Sequence, residues 1–212
     1  MLSVVIQAGG RSSRMGQDKA FVKLAGKAII EHVLERVSGL GSETLITTND
    51  PKRYARLGLR TVPDSIPGAG ALQGLRTALA SAGHEHVLLV ACDMPFIQRP
   101  LLDHILSQAN KGDVIVPFPG GRHEPLLALY QREVCLHAVD QVLRAGERRM
   151  ISFYPLVHVV EIDDARLDEL DPARLSFFNV NSPDDVRRAE GIFASLQTNL
   201  PTAPPGGTTD EV

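Results

Sequence analysis

The chain has 212 residues, 43% of them hydrophobic, and a formal net charge of −3. That length supports one α/β domain with a substantial core, and the mild acidity gives no overall field that would draw in nucleic acid or an anionic membrane surface. No apolar run approaches the ~20 residues of a membrane span. The first apolar strand begins at Leu2, which leaves no room for a signal peptide, so a cytoplasmic setting is expected. Cys92 and Cys135 lack metal-ligand spacing and read as reduced thiols in or near the core.

Residues 2–6 form an apolar run typical of a buried strand. The strand feeds the stretch Gln7-Ala8-Gly9-Gly10-Arg11-Ser12-Ser13-Arg14-Met15-Gly16-Gln17-Asp18-Lys19. Glycines without a Cβ let backbone N–H groups come close to an anion. Arg14 offers a fork for phosphate oxygens, and Lys19 offers a point charge. The combination suits a polyphosphate. It is not a Walker A loop, because Gln17 follows Gly16, and its glycines do not make the G-x-G-x-x-G dinucleotide fingerprint. A glycine-rich basic surface turn is the plain alternative.

Further along, Ile29, Ile30, Val33, Leu34 and Val37 recur at helical spacing. Residues 44–47 read as a strand, Pro51 opens a short helix stopped at Gly58, and 59–62 is a third strand. A turn-rich loop over 63–70 precedes a helix from about 71 to 82. Residues 86–91 carry the continuous apolar run of a central parallel strand. Pro100 opens another helix, 113–116 is a strand, 126–130 follows a Pro-Gly-Gly turn, and 132–145 is helical. Residues 157–162 and 175–180 resemble strands, and Pro183 starts a terminal helix capped by Ser182. The Thr-, Pro- and Gly-rich stretch 198–212 reads as a disordered tail. This alternation predicts a Rossmann-like three-layer sandwich, with helices on both faces of a mostly parallel twisted sheet. Ligands in such sheets bind at the carboxyl ends of strands, where strand order reverses.

Several residues fall at those strand ends. Asp93, in Ala91-Cys92-Asp93-Met94-Pro95-Phe96, follows the central strand. Taken in isolation, a lone carboxylate there reads first as the cap of the next helix, although it also suits Mg²⁺ completed by water and phosphate oxygens. Asn49 can bond a base or ribose edge, although Asn49 or Asp50 can also cap the helix at Pro51. Asp64 closes the third strand, where an ordinary Asx turn is also consistent. Gly68-Ala69-Gly70-Ala71 places backbone amides at a helix start. Asn181 precedes the terminal helix, where a capping role competes with any other. Zinc-protease spacing and a G-x-S-x-G nucleophile elbow are both missing from the sequence.

The stretch from Gln7 to Lys19 resembles the signature L-A-G-G-x-S-x-R-M-G-x-x-K of a nucleotidyltransferase superfamily with a nucleotide-diphospho-sugar transferase-like fold. More narrowly, the chain resembles the molybdenum cofactor guanylyltransferases. Ala8-Gly9-Gly10 is their pattern, whereas related cytidylyltransferases tend to carry Ala-Ala-Gly. The family usually has Leu where this chain has Gln7, and Pro where it has Ala71. The Cys92-Asp93-Met94-Pro95-Phe96 stretch matches the family's C-D-M-P-F element, residues 124–130 its E-P-L-L-A-L-Y, and residues 178–185 its late F-x-N-V-N-x-P-x-D.

The resemblance implies a nucleotidyltransferase domain over 1–197 that transfers GMP from GTP to the molybdopterin cofactor and releases pyrophosphate. It implies Arg14, Lys19 and Asp93 as catalytic residues and Asp93 as the Mg²⁺ ligand. Gln7, Ala8, Gly9, Gly10, Lys19, Asn49, Asp64, Asp93 and Asn181 would line the nucleotide and metal site. Arg122 or His123 would face the second substrate, unless their loop is merely solvated. Asn179, like Asn181, would organise the second-substrate side or the metal. Transient contact with molybdoenzyme maturation proteins and a monomeric or weakly oligomeric state are further expectations. Transfer of CMP to molybdopterin, nucleotide transfer to a sugar phosphate, and a non-catalytic nucleotide-binding module are the competing readings.

Overall fold

Alternate residues of the central strands feed two separate cores. In the computed structural model, which describes residues 1–8, 18–64, 66 and 70–198, the chain opens with β1 (Leu2–Gln7). A small hairpin of β2 (Lys23–Leu24) and β3 (Lys27–Ala28) follows, then α1 (Ile29–Val37), β4 (Glu43–Thr48), α2 (Pro51–Tyr54) and β5 (Arg60–Pro63). Next come α3 (Ala71–Ser81), β6 (His86–Ala91), α4 (Arg99–Ser107), β7 (Val114–Pro117) and β8 (Leu127–Gln131). The chain continues through α5 (Arg132–Arg144), β9 (Val159–Ile162), α6 (Asp164–Leu170) and α7 (Pro183–Thr198).

Seven strands form one sheet in the order β5-β4-β1-β6-β8-β7-β9. The first four are parallel, β8 runs antiparallel to both its neighbours, and β7 pairs with β9 in parallel. The β7–β8 reversal is local, because an antiparallel pair needs only a short turn. Val4, Ile6, Leu88 and Val90 pack with Val33 of α1 and with Leu101 and Ile105 of α4. Val5, Leu45, Val87 and Leu89 pack on the opposite face with Leu72 and Leu75 of α3 and Val139 of α5. Strands buried on both faces explain the unbroken apolar runs of β1 and β6. A third cluster, built from Leu24, Ile29, Phe96, Val180 and Ala189, joins the hairpin and α7 to the loop after β6.

Three local features depart from the sequence-based expectation. The hairpin was not anticipated; its two-residue turn has positive φ at both Ala25 (47°) and Gly26 (84°), the pattern whose twist suits a tight hairpin. Helix α6 was also not anticipated; it is capped by Asp163, whose side chain accepts from Arg166 N–H at 2.9 Å. Residues 175–180, expected as a strand, instead start with a 3₁₀ turn at Leu175–Phe177. Both carboxylate oxygens of Asp171 accept from that turn, at Leu175 N–H (3.0 Å) and Ser176 N–H (2.7 Å). The extended residues beyond it pair with a loop, as Val180 N–H donates to Asp93 O at 2.9 Å. Ser182 does cap α7, and Asp185 closes a reciprocal box with it. The helix includes Thr198, one residue past the expected domain end, and residues 199–212 lie outside those described.

The amino end of the sheet is tied by one carboxylate. Glu43 accepts from Ser3 Oγ (2.6 Å), Gly83 N–H (2.8 Å) and Arg60 Nη1 (3.1 Å), joining β1, β4, β5 and the end of α3. Burial alone would raise its pKa, but these donors outweigh burial and hold it below the ordinary value. A depressed carboxylate adds stability above its unfolded pKa and loses it as pH falls through the folded value. Glu43→Gln should therefore cost about 1 kcal/mol at neutral pH. In urea unfolding measured from neutral to acid pH, the gap to wild type should shrink once Glu43 protonates. A gap independent of pH would show that the clamp does not act through charge.

Candidate active site

The crevice lies where strand order reverses beside β1, at the carboxyl ends of β5, β4, β1 and β6. The pairing continues past the last strand residues. Ala8 N–H donates to Thr47 O at 2.8 Å, and Cys92 N–H donates to Gln7 O at 3.2 Å. With strands ~4.8 Å apart, the edge from β5 to β6 spans about 14 Å, comparable to a nucleoside with its phosphate chain.

At the β6 end sits Asp93, 7% exposed. Its carboxylate receives a short contact from the Lys19 ammonium, which also donates to Asn181 Oδ1 at 2.9 Å. These residues stand 74 and 162 positions from Lys19, and the fold alone brings them together. Asp93 is not a helix cap: Gln98 occupies the capping position of α4, and its N–H is received by Ser176 Oγ at 2.9 Å. A buried carboxylate needs a cationic partner. In this structure the partner is Lys19.

Each member is held by its own local device. Lys19 opens a 3₁₀ turn capped by Asp18, whose Oδ1 accepts from Ala20 N–H at 3.1 Å. The other Asp18 oxygen accepts from the Tyr54 hydroxyl at 2.9 Å and lies 3.7 Å from Arg53 Nε. Tyr54 is fully buried, and burial pushes its pKa far up, so it remains a donor. Phe21 packs on Tyr54 with ring centroids 4.8 Å apart, and the Arg56 guanidinium lies 4.2 Å from the Phe21 centroid. Asn181 donates its N–H to Asp185 Oδ2 at 3.1 Å, which leaves its side-chain oxygen aimed at Lys19. Asp18 and Tyr54 were absent from the sequence-based set. The adjacency of Asp18 to Lys19 was the available signal, whereas no spacing rule connects Tyr54 to either.

Two oxygen donors, the Asp93 carboxylate and the Asn181 amide, thus converge on one cation. Hard oxygen donors few in number are what Mg²⁺ accepts when water and phosphate complete its shell. The donor set therefore fits that ion. Among the described residues no group of three or more His, Cys, Asp or Glu side chains is placed to hold a metal by itself.

The other expected residues lie along the same edge. Gln7 and Ala8 end β1. Asp50 caps α2 by accepting from Arg53 N–H at 3.4 Å. Asn49 is exposed and has no hydrogen-bond partner among the described residues. Asp64 follows β5, its Oδ1 buried without a partner among the described residues and its pKa raised by burial. Among the described residues no hydrogen bond or ion pair links Asn49 or Asp64 to the Lys19–Asp93–Asn181 group. Gly9, Gly10 and Arg14 lie outside the described residues, as do Gly68 and Ala69. His123 has a partner of its own, Glu161 Oε1 at 2.7 Å, and packs on Phe118 and Tyr154. Asn179 Oδ1 is buried without a partner. Cys92 and Cys135 are buried free thiols, and burial pushes Cys135 up to about 12.

Glu124 was not singled out from the sequence. Ala91 N–H donates to Leu126 O at 2.9 Å, which extends the β6–β8 ladder toward Asp93 and Glu124. Burial raises the Glu124 pKa. The Leu126 N–H that it accepts at 3.3 Å opposes the rise, and the Asp93 charge adds to it.

The comparisons with known proteins make this fold, with its polar group at the switch-point edge, a nucleotidyltransferase. A family model described as "MobA-like NTP transferase domain" matches residues 4–161, and the chain belongs to that family. A relative from Pelotomaculum thermopropionicum, named "Probable molybdenum cofactor guanylyltransferase", is 41% identical over 92% of this chain and 94% of its own length. "Molybdenum cofactor guanylyltransferase" from Desulfosudis oleivorans is 33% identical over 89% of this chain and 94% of its own. Among solved structures, molybdopterin-guanine dinucleotide biosynthesis protein A from Archaeoglobus fulgidus superposes with a TM-score of 0.77 and 30% identity, over 91% of this chain and 99% of that one. A 4-diphosphocytidyl-2C-methyl-D-erythritol synthase from Anaerococcus prevotii shares the fold, with a TM-score of 0.69 at 13% identity over 92% and 96% of the two chains. No helix among the described residues is long and apolar enough to cross a membrane.

Asp18→Ala removes the cap before Lys19 and strands the buried Tyr54 hydroxyl, which should destabilise the protein by about 2 kcal/mol. Asp18→Asn, which retains an acceptor, should recover part of that loss in urea unfolding. Equal stability of Asp18→Ala and wild type would show that the turn is held by something else.

Proposed function

We infer that this chain transfers GMP from GTP to the molybdopterin cofactor, releasing pyrophosphate and forming molybdopterin guanine dinucleotide. The observation that carries this reading is the Lys19–Asp93–Asn181 group at the switch point, in a chain whose family relatives bear guanylyltransferase names. Residues 1–197 would form the catalytic domain, and Gly9, Gly10 and Arg14 would join Lys19 in holding the triphosphate.

The chemistry asks little of the protein beyond placement and charge. The terminal phosphate of molybdopterin is ionised at neutral pH and can attack the α-phosphorus without a strong general base. Pyrophosphate leaves on the opposite side. Alignment of the two substrates and neutralisation of the developing charge supply the acceleration. Lys19 is tethered at its base by the Asp18 cap and carries its ammonium at the β6 end, where it can meet phosphate oxygens. Asp93 and Asn181 would hold Mg²⁺, which when bound offsets negative charge on the phosphates and the leaving group. Lys19 compensates the Asp93 carboxylate in this structure, and a cation held by Asp93 and Asn181 would compensate it were Lys19 to turn to phosphate.

Lys19→Ala should lower turnover by at least ~10-fold, as for loss of a preorganised charge. Asp93→Ala should abolish Mg²⁺-dependent turnover while the protein remains folded by thermal unfolding. The assay is pyrophosphate release with Mg²⁺, molybdopterin, and GTP or CTP in parallel. Release with GTP alone is the expected result. Release with CTP alone would overturn the choice of nucleotide, and undiminished turnover of Lys19→Ala would remove that residue from the mechanism.

A further inference from the structure

The loop between β7 and β8, residues 118–126, lies at the carboxyl edge of the sheet beyond Asp93. It starts where Phe118 N–H donates to Ile162 O at 2.9 Å. It ends beside β6, where Leu126 O receives Ala91 N–H at 2.9 Å, two residues before Asp93. In the strand order β6 stands between β1 and β8, so this loop and the end of β1 flank Asp93 from opposite sides. Displacement at a phosphorus runs in line, with the attacking and the departing oxygens on opposite sides. A triphosphate held at the β1 side therefore leaves the β8 side for the acceptor.

Little within the loop fixes its tip. The tip is one 3₁₀ turn, Pro119–Gly121, with positive φ at Gly120 (56°) and Gly121 (74°), and residues 120–122 are exposed. Its anchor comes from α6: both carboxylate oxygens of Asp164 accept from Gly120 N–H, at 3.2 and 3.1 Å. Asp164 is itself half-exposed and is gripped by Arg174. Arg174 Nη2 lies 2.9 Å from Asp164 Oδ1 and donates to Asp164 O (3.0 Å) and Asp168 Oδ1 (2.6 Å). Arg174 begins the stretch that leads to Asn181, as the residue before the 3₁₀ turn at Leu175–Phe177. Its φ of 53° and ψ of 29° are left-handed, a conformation that any Cβ opposes and that glycine adopts freely. Glycine would suit this backbone better, so what arginine contributes here is its guanidinium.

We propose that Arg174 is a positioning residue for the acceptor: through Asp164 it fixes the Gly120 turn against the segment that carries Asn181. The turn presents Arg122, whose side chain has no hydrogen-bond or ion-pair partner among the described residues. A guanidinium held there offers a fork to an acceptor that ends in phosphate. The Asn181 segment has anchors besides Arg174. Val180 N–H donates to Asp93 O, Asp171 receives Leu175 and Ser176 N–H, and Ser182 and Asp185 form their box. The Gly120 turn depends on Asp164, whose carboxylate is free to turn to water once Arg174 is gone. Loss of Arg174 therefore falls on acceptor binding and spares GTP. The inference rests on the proposed transfer to molybdopterin and adds to it the residue that sets the acceptor side.

The test variant is Arg174→Gly, which relieves the left-handed backbone while it removes the guanidinium, so the fold should hold. Steady-state pyrophosphate release with Mg²⁺, GTP and molybdopterin should show KM for molybdopterin raised at least ~10-fold, with kcat and KM for GTP within ~2-fold of wild type. Arg174→Lys, which keeps the charge and loses the fork, should fall between the two. Asp164→Ala should raise the same KM, and combining it with Arg174→Gly should add little, because both act through one contact. In the unliganded protein, amide hydrogen exchange over 118–123 should quicken in Arg174→Gly while β1 and β6 keep their wild-type rates. Should Arg174→Gly not fold, Asp164→Ala carries both readouts. An unchanged KM for molybdopterin, equal losses for both substrates, or unchanged exchange over 118–123 overturns the proposal. Wild type that releases no pyrophosphate would refute the transfer reading, and exchange over 118–123 would still decide whether Arg174 holds the turn.

Discussion

The contact between Lys19 and Asp93 organises the rest of the site. It closes a buried carboxylate with an ammonium from the end of the glycine-rich stretch, and Asn181 shares that ammonium. Three segments remote in the chain are thereby held at one point. The supporting shell is directed to the same end: Asp18 caps the turn, Tyr54 anchors Asp18 from below, and the Ser182–Asp185 box presents Asn181. A charge buried this deeply is costly alone, and the Lys19 ammonium compensates it.

The sheet makes this convergence possible. Its two cores draw on alternate residues of the same strands, which fixes their register and gives the carboxyl ends a rigid, common edge. The third cluster, around Phe96 and Val180, extends that rigidity to the loop after β6 and to α7. The Val180 N–H to Asp93 O bond is the direct link, so the segment that carries Asn181 is fastened to the residue it helps to compensate. Along the edge, the β6 end concentrates charge, while the β5–β4–β1 end concentrates neutral or half-buried acceptors.

Local chemistry made much of this legible in advance. The apolar runs of β1 and β6, proline at the start of α2 and α4, and Ser182 before α7 act through neighbours a few residues away. Residues 175–180 show the limit. Their apolar character marked them as buried, but whether such a run joins a sheet depends on which backbone meets it, and the partner here is the Asp93 loop. The β2–β3 hairpin was hidden for another reason: its strands are two residues long, too short for alternation to register, and Ala25 at positive φ is not a usual turn signal.

The sequence by itself determined the class of fold, the strand ends at which chemistry would sit, and the identities of Lys19, Asp93 and Asn181 as candidates. The fold class and the strand ends depend on residue type and on periodicities of two or 3.6 residues, which are properties of the chain alone, whereas Asp93 and Asn181 were set apart from ordinary helix caps by the resemblance of their motifs to the family's. Only the tertiary structure decided that Asp93 pairs with Lys19 and does not cap α4, that Asp50 and not Asn49 caps α2, and that Tyr54 donates to Asp18. It also decided that the Gln7 amide nitrogen faces Ala71, because the position of the Ala71 carbonyl and the room left by Gly74 are set by how α3 packs across β1. Contacts over such separations follow from the register and layering of the whole sheet, and no local pattern encodes them.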